Sequence, residues 1–120
     1  MEYVLGHVIG DFLCQTGTMA DNKYKPGAYG LMWCAVHVFV YTCVVLVCVG
    51  SYDICFGVLV YLPHWLIDRY SLAYRWMGII SRAQLLNSKE PIKAAFGAII
   101  YVVIDQALHA GCLYLLYLNY

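Results

Sequence analysis

The stretch YGLMWCAVHVFVYTCVVLVCVG, residues 29–50, decides the architecture. It carries no charged side chain, and as an α-helix it reaches about 33 Å, enough to cross a hydrocarbon core of about 30 Å. A transmembrane helix is the reading it compels. Working outward, residues 94–118, AAFGAIIYVVIDQALHAGCLYLLYL, form a second apolar run in which Asp105 and His109 are the only ionisable groups. Residues 54–71 begin ICFGVLVYLPHWLIDRY and give a third, shorter run that carries Pro63. Residues 3–20, YVLGHVIGDFLCQTGTMA, are the least apolar candidate. Their polar members His7, Asp11 and Gln15 recur at every fourth position and so share one helix face.

Composition agrees. The chain is 63% hydrophobic and 12% charged, whereas a soluble domain is about half apolar and about a quarter charged. Four spans fill 120 residues and leave no space for a soluble catalytic module. The expected fold is an all-α, integral membrane four-helix bundle forming one domain, because helices and closed barrels alone satisfy their own backbone in lipid. The opening MEYVLGHVIGD has acids where a cleaved leader has a basic region, so the first helix is expected to stay.

Charge gives the orientation. Lys23 and Lys25 lie between the first two spans, and Arg69, Arg75, Arg82, Lys89 and Lys93 lie at or between the ends of the last two. Alternating spans put all seven on one side, which the positive-inside tendency assigns to the cytoplasm, with both termini outside. Tyrosines flank the spans at both ends, as in an interfacial belt. Within the connection over 72–93, residues 75–91 alternate apolar and basic groups and read as a short helix on the cytoplasmic surface or as a plain loop. Arg69 and Arg75 read first as positive-inside anchors and second as groups that attract an anionic headgroup. The six cysteines show no C-x-x-C spacing and fall within the spans, where they act as small apolar residues. The lipid bilayer and further copies of the chain are the expected partners; nothing implies nucleic acid.

The polar residues that remain inside the spans are few and patterned. They are His7 and Asp11, His37, His64 and Asp68, and Asp105 and His109: three i,i+4 pairs and one single. An ionisable group at bilayer depth costs about 2.5–3.5 kcal/mol, so a set of seven calls for a function. Members of such a pair lie on one face about 5–6 Å apart at Cβ and can ligate one ion, or one can ligate while the other orients it. Counted from the cytoplasmic ends, the seven converge in the cytoplasmic half, with Asp68 nearest the surface. Pro63 is positioned to kink the third span just before His64. Four imidazoles and three carboxylates exceed the needs of one tetrahedral ion. Two divalent ions bridged by a carboxylate are the favoured reading, with one ion and an outer set of partners as the alternative. Zinc leads, with manganese, iron and nickel open. Asp11 and Asp68 are the candidates for a catalytic base. Gln15 and Gln106 read as hydrogen-bond partners, and Gly6 and Gly10 as a close-packing pair.

The segments GHVIGDFLCQTGTMADNKYK, HWLIDRY and IDQALHA resemble the signature segments of a family of small bacterial and phage membrane proteins, the domain of unknown function 3307. That resemblance implies a compact multi-helix protein, placed in the bacterial inner membrane, with a His/Asp-rich centre; it implies no reaction. A looser likeness to membrane families described as metal-dependent hydrolases is associational. The leading expectation is a membrane-embedded, metal-dependent hydrolase acting on a lipid or phosphoester. A carrier or channel for metal ions or protons uses the same residues, and an interaction protein with a purely structural polar cluster is the third reading.

Overall fold

Several helix ends fall where the sequence supplies a cap. The computed structural model describes residues 1–120, and every regular element in it is helical. Helix α1 covers Glu2–Val8 and runs on as a π-helical turn over Ile9–Leu13, closed by a bond from the Cys14 N–H to the Ile9 carbonyl. Helix α2, Gly17–Asn22, starts where the Thr16 hydroxyl accepts from the Met19 N–H. Helix α3, Gly27–Val49, ends at Gly50, whose φ of 72° lets the Ser51 N–H turn back to the Leu46 carbonyl. Helix α4, Ile54–Arg69, is capped by the Asp53 carboxylate on the Cys55 N–H and stays helical through Pro63. Helix α5 spans Leu72–Ile79, a 3₁₀ turn spans Ala83–Asn87, and α6, opened by Pro91, spans Pro91–Asn119.

Two of these helices, α3 and α6, are long and apolar enough to cross a membrane, with mean hydropathies of 2.3 and 1.7 over their best windows. Only 33% and 11% of those windows are buried, unlike core helices of a soluble protein. Their outer faces instead present Val36, Phe39, Phe96, Ile99, Val102 and Val103 to the surroundings. The helix expected over 3–20 is shorter than predicted. It stops at Leu13, so its helical part is about 18 Å long. Gln15, Thr16 and Gly17 then interrupt it with a capped restart, because a hydroxyl cap and a glycine favour a new helix start over continuation. The surface helix expected over 75–91 is likewise two pieces, separated by Ser81 at φ 57°, and Met77 is fully buried instead of facing a boundary.

The helices form a closed ring in which α1 packs on α3, α3 on α4, α4 on α6, and α6 on α1. Glycine permits the closest of these approaches: a Cβ on Gly6 would stand 3.0 Å from Val45 Cα, and one on Gly10 2.8 Å from the Tyr41 ring. The expected close packing of that pair is therefore present. Along the ring axis two layers alternate in chain direction. The apolar layer joins Tyr41, Val45, Phe56, Val60 and Leu113, with Tyr3, Leu46, Val49 and Leu116 packed against it. One turn further along each helix lies the polar layer, with His7 and Asp11, His37, His64 and Asp68, and Asp105 and His109. Both chain ends sit beside the apolar layer, where Tyr3 stacks on Tyr117 at 4.6 Å and Phe56 meets Tyr120 at 4.9 Å.

Candidate metal centre

Four side-chain atoms from three elements meet in the polar layer. His37 Nε2 and His64 Nε2 lie 3.2 Å apart. His37 Nε2 is 3.3 Å from Asp11 Oδ1 and 3.3 Å from Asp68 Oδ2. His64 Nε2 is 3.7 Å and 3.6 Å from the same two oxygens. All four side chains are at most 5% exposed. The π turn places Asp11 here, on a helix whose two glycines bring its backbone against α3. Such turns are common where a side chain has to be re-aimed at a site. The Tyr41 ring, 3.8 Å from the His64 ring, and the His109 ring, 4.0 Å from it on centroids, hold that imidazole in place.

Asp68 is the hub. Its Oδ2 also accepts from Lys23 Nζ at 2.8 Å, and Lys23 in turn donates to Gln15 Oε1 at 2.8 Å. Its Oδ1 faces His109 Nε2 at 3.4 Å, yet neither atom has a hydrogen-bond partner. His109 Nδ1 lies 2.9 Å from the Asp105 carbonyl. A carbonyl only accepts, so Nδ1 carries a proton and Nε2 is the nitrogen turned towards Asp68 Oδ1. Asp105 itself is peripheral: its carboxylate is 3.6 Å from His109 Nδ1 and its side chain is 15% exposed.

His7 takes a different part from the one expected. Its Nδ1 meets Tyr41 Oη at 3.0 Å and its Nε2 meets Gln106 Oε1 at 2.9 Å, so neither nitrogen points into the cluster. The directions follow from one end. Gln106 Nε2 donates to Asp11 Oδ2 at 2.8 Å, which makes Gln106 Oε1 the acceptor from His7 Nε2–H and His7 Nδ1 the acceptor from the Tyr41 hydroxyl. This chain of three bonds holds Asp11 from behind. Gln106 and Gln15 are hydrogen-bond partners, as expected.

Three placements depart from the sequence reading. Asp68, expected nearest the surface, has a side chain with 0% exposure, because α5 and the Lys23 side chain close over the end of α4. Lys23, counted among the cytoplasmic basic residues, is 4% exposed and paired inside. Tyr41 was not singled out, although it follows His37 by four residues, the same spacing that marks the other pairs. Lys23 carries no comparable signal, since a buried lysine and a solvated one look alike in a basic stretch.

The residues fit a divalent cation. Five separations of 3.2–3.7 Å join His37 Nε2 and His64 Nε2 to each other and to one oxygen each of Asp11 and Asp68, close to the spacing of about 3.4 Å between neighbouring ligands that lie about 2.1 Å from a tetrahedral zinc ion. Asp11, His37 and His64 are close enough to share one ion, as are His64, Asp68 and His109, and Asp11, Asp105 and His109. Two buried carboxylates set against one lysine leave negative charge without compensation, which a low-dielectric interior penalises. A cleft of ≈ 170 Å³ reaches this layer from one side, lined by Asp11, Gln15, Lys23, Tyr24, Tyr101, Asp105 and their neighbours.

A family model described as "Protein of unknown function (DUF3307)" matches residues 1–120, the whole chain. No curated protein and no solved structure matches it.

Proposed function

The chain belongs to the DUF3307 family, and on the geometry of its polar layer we propose that it is a membrane-embedded, metal-dependent hydrolase whose zinc ion is held by Asp11, His37, His64 and Asp68. The observation that carries this reading is the meeting of two buried imidazole nitrogens with an oxygen of Asp11 and of Asp68 at 3.2–3.7 Å. Two nitrogens and two oxygens in that geometry suit zinc, whereas manganese, iron and nickel more often take six ligands. The bundle sits in the bacterial inner membrane with the basic connections in the cytoplasm and both ends of the chain outside. The apolar outer faces of α3 and α6 and the shared position of the two chain ends support that placement. A first helix of half the bilayer's thickness leaves the cytoplasmic half of its sector to α2 and to the cleft.

An ion held by these residues would supply Lewis-acid chemistry, lowering the pKa of a bound water towards about 7, and a carboxylate of the layer left free of the ion would take its proton. The substrate is a lipid or another phosphoester that enters through the cleft beside Lys23. Access from one side, with the apolar layer filling the rest of the bundle, favours an enzyme over a carrier.

Elemental analysis of the detergent-purified protein is the first test. Wild type is expected to hold zinc and His37→Ala to lose it, with helicity by circular dichroism unchanged. Phosphate or fatty-acid release from lipid in mixed micelles should follow the metal and stop with a chelator. Wild type that binds no zinc after loading, or a His37→Ala variant that keeps it, overturns the reading.

A further inference from the structure

The nest uses one oxygen of Asp68, and the other oxygen points away from it. Oδ1 stands opposite His109 Nε2 at 3.4 Å, in side chains that are 0% and 1% exposed, and both atoms are unpartnered. A buried polar atom without a partner is costly, and a cation between these two satisfies both at once. Oδ2 of Asp68 is held by Lys23 and faces both histidines of the nest, His109 Nδ1 is tied to a carbonyl, and His64 Nδ1 is likewise without a partner. The backbone bond at Nδ1 also fixes the imidazole so that Nε2 remains the ligating nitrogen, an arrangement typical of metal-bound histidine.

We infer that the centre is dinuclear, with a second divalent cation between Asp68 Oδ1 and His109 Nε2 and with Asp68 bridging the two ions. This rests on the first ion being where the preceding reading puts it. The separation of 3.4 Å is again one edge of a tetrahedron with ligands about 2.1 Å from the ion. Asp105 stands beside the same imidazole, its carboxylate 3.6 Å from Nδ1, and is close enough to His109 and Asp11 to share an ion with them.

Both positions adjoin the cleft through a carboxylate, Asp11 of the nest and Asp105 beside His109. The second position draws on fewer protein ligands than the nest, so its ion keeps open coordination positions and exchanges more readily than the first. Charge points to the class of ligand. One dication together with Lys23 balances Asp11, Asp68 and Asp105, so a second dication makes the centre cationic. Such a centre takes an anion at the cleft, a hydroxide or a phosphoryl oxygen, which is how paired metals 3.5–4 Å apart handle phosphoesters.

The test is metal stoichiometry and magnetic coupling in the full-length protein in detergent, with Mn(II) and Zn(II) as the probes. Wild type is expected to bind two equivalents, with a spin-coupled Mn(II) pair in the electron paramagnetic resonance spectrum. His109→Gln and, independently, Asp105→Asn are expected to lower the affinity of the second equivalent at least tenfold and to leave an isolated Mn(II) signal from the first. Asp105→Asn guards against a folding defect, because Asp105 is half-buried and makes no contact with the nest. One equivalent in wild type, unchanged in both variants, overturns the second site and leaves the first reading intact. No equivalents in wild type overturns both. Two equivalents without coupling, retained in both variants, overturn the bridge and the assignment to His109.

Discussion

Lys23→Met tests the centre through the sign of its effect. The ammonium lies 2.8 Å from Asp68 Oδ2, and Asp68 is fully buried. Without metal, removing the lysine strands a buried carboxylate, a loss that typically costs about 3–5 kcal/mol. With metal, the same substitution removes a repulsion. An ion about 2.1 Å from Oδ2 lies within about 5 Å of the ammonium, where unit charges repel by about 1 kcal/mol in water and about 3–4 kcal/mol at an effective dielectric of 20, twice that for a dication. Even the aqueous limit, about 2 kcal/mol, means zinc bound at least twentyfold more tightly. Lys23→Met is therefore expected to melt well below wild type in chelator and to recover most of the difference on adding zinc. Competition with a chromophoric chelator gives the affinity, and thermal melts followed by circular dichroism in detergent give the stability. Equal or weaker zinc binding, or a chelated variant as stable as wild type, refutes both the pairing at Asp68 and the cation site beside it.

Three further substitutions separate orientation from packing. Tyr41→Phe deletes the hydroxyl that donates to His7 Nδ1, and with it the far end of the chain that holds Asp11 through Gln106. It should lower zinc affinity about tenfold with little change in helicity, since partners behind a metal ligand are worth about 10–100-fold; unaltered affinity shows that the chain does not tune the site. Gly10→Ala puts a methyl 2.8 Å from the Tyr41 ring and 3.3 Å from its Cα, a crowding that should destabilise the protein by about 1–3 kcal/mol, while Gly17→Ala meets nothing within 4 Å and should be close to neutral. Equal melting temperatures for the two alanine variants count against the close approach of α1 and α3.

The parts of the fold legible in the sequence are those that composition alone decides. Residues 29–50 and 94–118 are apolar throughout, and they are the two long helices found as α3 and α6. The first segment was not legible in the same way. Its stop after Leu13 follows the Thr16 cap and Gly17, a weaker signal than the face shared by His7, Asp11 and Gln15, and its π turn accompanies the close packing of Gly6 and Gly10 on Val45 and Tyr41, which local propensity does not encode. For the site, i,i+4 spacing identified the faces but not which member of a pair turns inward. His7 and Asp11 share a face, yet one meets Tyr41 and Gln106 and the other meets His37. The depth assigned to Asp68 failed because it treated the end of α4 as an open boundary, where Lys23 and the start of α5 form a cover. Lys23 was invisible for a related reason: its role depends on a carboxylate 45 positions away, beyond the reach of any local pattern.

A π turn is an α-helix carrying one residue too many, and over Ile9–Leu13 that extra residue sits between the two polar side chains of the first helix. Adding or deleting a single residue there would turn everything beyond it by about 100° about the helix axis. A chain with His7, Asp11 and every other residue type intact would then aim its carboxylate away from the polar layer and leave His37 Nε2 without its contact at 3.3 Å. Residues 80–90, by contrast, send no side chain into the polar layer. Length is thus a stricter constraint than residue type in the first helix, which holds its share of the centre as a matter of phase.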